Sequence, residues 1–72
     1  MIRYKNLSGN SGVYAYEIGS NYIRVQFSGT ARTYTYSYSR AGYTHVQTMK
    51  LLAQNGRGLG TYINQNVKFL YD

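Results

Sequence analysis

Seventy-two residues with eight Lys and Arg against two carboxylates, Glu17 and Asp72, make one small domain of formal net charge +6. With no cysteine, neither a disulfide nor a thiolate-held metal can brace a core of this size, and the usage fits a cytoplasmic protein. No run approaches the ~18 apolar residues of a membrane span. The opening Met1-Ile2-Arg3-Tyr4-Lys5-Asn6 lacks the apolar stretch of a signal peptide, so no membrane association is expected.

Residues 1–12 read as a polar leader, with residues 5 to 12 having little reason to be ordered. Ile2 and Tyr4 leave open a short edge strand, and the sequon Asn6-Leu7-Ser8 reads as coincidence. Residues 13–72 form the domain. Three runs then alternate at period two: residues 13 to 17, 22 to 27 and 33 to 38. Each is the signature of a strand with one buried face. Gly19-Ser20 and Gly29-Thr30 suit two-residue turns that need a positive φ at their first position. Those turns set Tyr16 opposite Ile23, Tyr14 opposite Val25, Ile23 opposite Tyr36 and Val25 opposite Tyr34. One face then carries Tyr14, Tyr16, Ile23, Val25, Phe27, Tyr34, Tyr36 and Tyr38. The other carries Ala15, Glu17, Tyr22, Arg24, Gln26, Thr33, Thr35 and Ser37.

After the strands the period changes. Val46, Met49, Leu52 and Ala53 recur at helical spacing and predict a helix over roughly residues 41 to 55, capped by Ser39 or Thr44 and stopped by Gly56. Ile63, Val67, Leu70 and Tyr71 form the stripe of a second helix, with Thr61 as its N-cap. The expected architecture is α+β: a three-stranded antiparallel β-meander packed by one or two C-terminal helices, which cover the aromatic face.

In order along the chain, Ser11, Val13, Tyr16-Glu17, Ile23, Val25, Phe27, Gly29 and the pair Tyr34-x-Tyr36 are followed by Gly60-Thr61-Tyr62-Ile63-Asn64, Val67 and Tyr71. This set resembles the KTSC domain family over residues 11 to 71. Such domains are small, stand alone in bacterial or phage proteins, and are also found at the C-terminus of some lysyl-tRNA synthetases. The resemblance implies a soluble β-then-α domain, with RNA binding suggested by the synthetase context. Two connections depart from the family pattern: Tyr38-Ser39-Arg40-Ala41-Gly42 replaces a proline-containing link, and Gly56-Arg57-Gly58-Leu59-Gly60 replaces a serine-containing approach to the last helix.

The tyrosine row reads as core, because the helices have no other face to cover; the functional alternative is a base-stacking platform. On the opposite face Tyr22, Arg24 and Gln26, with Arg32 at the turn, offer phosphate contacts and a stacking ring; the plain alternative is a solvated sheet face. Gly56, Arg57, Gly58, Gly60 and Thr61 form the best candidate anion loop, set against an ordinary helix stop followed by a turn. It lacks the Gly-Lys-Ser/Thr of a phosphate-binding P-loop. His45 is the only histidine, and no nucleophile, metal or paired-carboxylate motif is present, so no enzyme activity, cofactor or metal is expected. The reading is a small non-catalytic binding module for nucleic acid, RNA before DNA, or another polyanion. The alternative is a protein-interaction or homodimer-forming module that pairs through an open edge, near residues 13 to 17 or 33 to 38.

Overall fold

A computed structural model describes residues 1–9 and 11–72, so position 10 of the expected leader lies outside the described residues. The chain forms β1 (Ile2–Arg3), β2 (Val13–Ile18), β3 (Tyr22–Phe27) and β4 (Thr33–Ser37), then α1 (Tyr43–Asn55) and α2 (Leu59–Tyr62). The last helix continues directly into a π-helical turn, Ile63–Val67. The sheet is an antiparallel meander in the order β1-β2-β3-β4. It therefore has four strands, not three, because the N-terminal residues join it.

The added strand pairs Ile2 with Tyr16 and Arg3 with Ala15. Just beyond it, the Tyr4 N–H donates to the Tyr14 carbonyl at 2.9 Å. Tyr4 is 5% exposed and belongs to the core. The segment after it is tied down as well. The Leu7 N–H donates to the Gly56 carbonyl at 2.7 Å, and Asn6 Oδ1 accepts from the Ser11 N–H at 3.0 Å. Local hydrogen bonds, rather than apolar burial, order these polar residues.

The β3–β4 register is the expected one, with Ile23 opposite Tyr36 and Val25 opposite Tyr34. Between β2 and β3 the pairing is different: Tyr16 faces Val25 and Ile18 faces Ile23. The turn centres on Ser20-Asn21, and the Gly19 N–H donates to the Tyr22 carbonyl at 3.0 Å. Gly19 is needed for another reason, since a Cβ there would overlap the Tyr22 ring. A slip of two residues leaves every side chain on its expected face. The bulge between Val13 and Ala15 does not. It turns Val13 inward, at 2% exposed, and leaves Tyr14 outside, at 41%. Tyr14 is thus not part of the inner row.

The remaining inner residues meet the helices. Tyr16, Ile23, Val25 and Tyr36 pack with Val46, Met49 and Ala53 of α1 and with Leu59, Ile63 and Val67 beyond it. The inner tyrosine row is core, with Tyr34 and Tyr38 at its half-buried margin. Helix α1 starts at Gly42, φ 104°, without a side-chain cap. Ser39 shares a hydrogen bond with Ser37 instead, and the Thr44 carbonyl accepts from Thr48 Oγ1. Likewise α2 starts at Gly58, φ 85°, with Thr61 inside the helix and not at its cap. Glycines in the left-handed range turn the chain at both starts, so hydroxyl caps are not used.

Gly56 ends α1 as expected, at φ 77°, its N–H donating to the Leu52 and Ala53 carbonyls. A Cβ on Gly56 would lie 2.6 Å from Lys5 Cβ. Gly29 has a similar φ of 85° but open space around it. Gly56→Ala is therefore expected to cost about 2 kcal/mol or more, through backbone strain plus displacement of the N-terminal segment. Gly29→Ala is expected to cost only about 1 kcal/mol, the strain alone. Urea midpoints of the two variants check the difference; equal midpoints would mean that residue 5 does not rest on the helix end.

Candidate nucleic-acid interface

The registers lay out the outer face of the sheet row by row. Arg3, Ala15, Gln26 and Thr33 form one row, Glu17, Arg24 and Thr35 the next, and Tyr22 and Ser37 the third. The helices pack on the other side, so this face stays open to solvent.

Two arginine–tyrosine stacks stand on it. The Arg3 guanidinium lies 4.4 Å from the centroid of the Tyr14 ring, and that of Arg24 lies 5.2 Å from Tyr22. A guanidinium over a ring face is held by the ring quadrupole and stays planar and pre-oriented. Arg24 is also braced by Thr35, its Nε donating to Oγ1 at 3.2 Å. Glu17 completes the cluster: it accepts from the Tyr22 hydroxyl at 3.0 Å and pairs with Arg24 Nη1 at 3.4 Å. That pair is half exposed and adds less than about 1 kcal/mol to stability. Its effect is on orientation, keeping Arg24 beside Tyr22.

The fold brings Tyr22, Arg24 and Gln26 together as expected, with the Gln26 amide donating to the Thr30 carbonyl at 3.0 Å. Arg32 stands apart. Its guanidinium is 5.6 Å from the ring of Tyr34, an inner-face residue, so it sits at the rim of the sheet. Arg57 is at the far end of α1, remote in sequence from the sheet face. Sequence reasoning missed Arg3 and Tyr14 as members of the face. The alternation Ile2-Arg3-Tyr4 carried a signal for Arg3; nothing local marks the bulge that exposes Tyr14.

In the glycine loop, Gly56 is buried and its N–H is committed to α1. The Leu59 N–H donates to the Tyr4 hydroxyl at 3.2 Å. Arg57, Gly58, Gly60 and Thr61 line a recess of about 400 Å³ with Ser8, Ser11, Gly12, Phe27 and Asn64. Gly60 allows close packing there, since a Cβ would stand 3.0 Å from Ser11 Oγ.

Both carboxylates are engaged within the fold. Glu17 holds Arg24 and Tyr22, and Asp72 Oδ1 accepts from Ser37 Oγ at 2.7 Å. Among the described residues Arg24–Glu17 is the one ion pair, so the other Lys and Arg side chains have no carboxylate partner, and Lys50 Nζ instead donates to the Gly19 carbonyl at 2.9 Å and to the Tyr38 hydroxyl at 3.2 Å. His45 Nδ1 shares a 2.6 Å hydrogen bond with the Tyr62 hydroxyl.

Comparison with protein-family models, with curated proteins and with solved structures finds no match to the chain. What the fold defines is a class: an α+β domain whose antiparallel sheet is covered by helices on one face. No helix among the described residues is long and apolar enough to cross a membrane.

Proposed function

We propose that the domain is a non-catalytic module that binds single-stranded nucleic acid, RNA before DNA, on the outer face of its sheet. The observation that carries this reading is the pair of arginine–tyrosine stacks, Arg3–Tyr14 and Arg24–Tyr22, both on the outer face, whose strands bear one carboxylate, Glu17. Guanidinium groups supply phosphate contacts and the tyrosine rings supply sequence-tolerant stacking. The Thr33 hydroxyl, and the proton of the Thr35 hydroxyl whose oxygen accepts from Arg24 Nε, supply partners for a ribose 2′-OH, which favours RNA. The surplus of unpaired cations and the KTSC resemblance support the same reading, and a cytoplasmic setting in a bacterium or phage belongs to the proposal.

The alternative, a protein-interaction or homodimer module using an open edge, has less to work with. The edge of β2 is covered by β1. On β4 the Thr35 carbonyl already accepts the Asp72 N–H at 2.7 Å. Both edges read as open from the sequence are thus partly occupied.

The test is fluorescence anisotropy with a short single-stranded RNA across a range of salt. Micromolar binding is expected, weakening steeply with salt. Replacing Arg3 and Arg24 together with Ala is expected to weaken binding about tenfold and to flatten the log–log salt slope by about 1.4, which is two phosphate contacts on a single strand. An unchanged affinity and slope would remove this face from the reading, and a salt-insensitive dimer that ignores RNA would favour the alternative.

A further inference from the structure

A groove crosses the end of the sheet away from the outer face. The recess lined by Arg57 and Thr61 meets a second one, of about 370 Å³, at Phe27 and Asn64, which line both. The volumes fall in the range of small-molecule sites. The first recess is the more polar of the two, with Ser8, Ser11, Thr61 and Arg57 in its lining. The second is aromatic, walled by Phe27, Tyr34 and Tyr71, with Tyr36 in its lining and Lys68 at its side. Phe27 and Tyr34 meet edge to face at 5.6 Å, as do Tyr34 and Tyr71 at 4.9 Å. No carboxylate lines either recess.

Tyr36 makes this more than a packing gap. Its side chain is 1% exposed, and its hydroxyl makes no hydrogen bond to the described residues. Yet among the described residues no fully buried polar side-chain atom is left without a partner. The little exposure Tyr36 has therefore lies at its hydroxyl, which opens on the aromatic recess. A nearly buried phenol held open to a cavity is a hydrogen-bonding group available to a ligand.

We infer that this groove binds a nucleoside phosphate, with the base against Phe27, Tyr34 and Tyr71, its polar edge at the Tyr36 hydroxyl, and the phosphate at Arg57. A flat ring with a polar edge suits the aromatic half, and an anion suits the half that carries hydroxyls and a free guanidinium. The bound group is either a free mononucleotide or one nucleotide of a strand. The site shares no residue with the outer face, so it stands independently of the reading above.

Amide NMR of the whole chain, titrated with AMP, adenosine and inorganic phosphate in turn, tests it. AMP is expected to shift Arg57, Gly58 and Gly60 together with Phe27, Tyr34 and Tyr71; adenosine is expected to shift only the aromatic set. Arg57→Ala is expected to weaken AMP about tenfold and leave adenosine unchanged, while Tyr36→Phe weakens both. Displacement of AMP by a short oligonucleotide assigns the groove to a strand nucleotide, and its persistence assigns it to a free one. Absence of groove shifts at millimolar AMP would overturn the proposal, as would inorganic phosphate reproducing the AMP shifts. AMP shifts confined to Tyr14, Tyr22 and Arg24 would also overturn it, and would leave the outer-face reading intact.

Discussion

Tyr4→Ala is expected to destabilise the domain by about 3–5 kcal/mol, the usual cost of emptying a buried aromatic site. In a 72-residue chain without disulfides that is comparable to the whole stability, so the variant should be largely unfolded at room temperature. Two losses combine. The ring is one of the core residues, 5% exposed, and its hydroxyl accepts the Leu59 N–H, which burial leaves with no water to turn to. Tyr4→Phe separates them, keeping the ring and costing about 1–3 kcal/mol for the unpaired N–H. Urea denaturation followed by circular dichroism reads both. A fully folded Tyr4→Ala protein would show that the N-terminal segment is an appendage and not part of the core.

Alkaline pH should remove a second large contribution. Burial pushes the Tyr36 phenol up to about 12, and the neighbouring Tyr34 and Tyr71 add to the shift. An unfolded chain ionises the same group near 10. Between these values the unfolded state gives up a proton that the native state retains, so rising pH favours unfolding. The contribution is present in full below pH 10 and fades as pH passes 12, with a size of roughly 2–3 kcal/mol. Tyr36→Phe should lack this part of the alkaline loss. The measurement is the difference in urea midpoint between the two proteins at pH 9 and again near pH 12. A constant difference would mean that Tyr36 ionises like an exposed tyrosine.

The faces of the sheet were legible because alternation at period two survives a slip of two residues. Tyr16 moved from Ile23 to Val25 without leaving the core. The turn itself was misread because Gly19 looked like a residue chosen for its φ. Its real constraint is the Tyr22 ring lying across it, a contact that composition does not carry. The bulge was hidden for a similar reason. The Val13 N–H donates to Ser11 Oγ at 3.1 Å, and the Tyr14 carbonyl is taken by Tyr4, so the strand is set from both sides by residues outside it. Exposure of Tyr14 and the recruitment of Arg3 follow from that, and half of the candidate face was invisible until β1 was in place. Leu7, the one apolar residue among positions 5 to 9, stays 57% exposed and docks on Gly56 through its backbone N–H, so a reading based on burial had no means of seeing it.

The hydrogen bond from Leu59 to Tyr4 joins residues 55 positions apart in sequence. Closing a loop of that length is an entropic cost met only when both ends are present. The β2–β3 and β3–β4 hairpins can form from local sequence, but the core is complete only when α2 reaches back to Tyr4, just past β1. Such non-local closure slows folding relative to a helical bundle of equal size. A chain still being synthesised would have only α1 to cover the aromatic face of its finished hairpins until Leu59 had emerged.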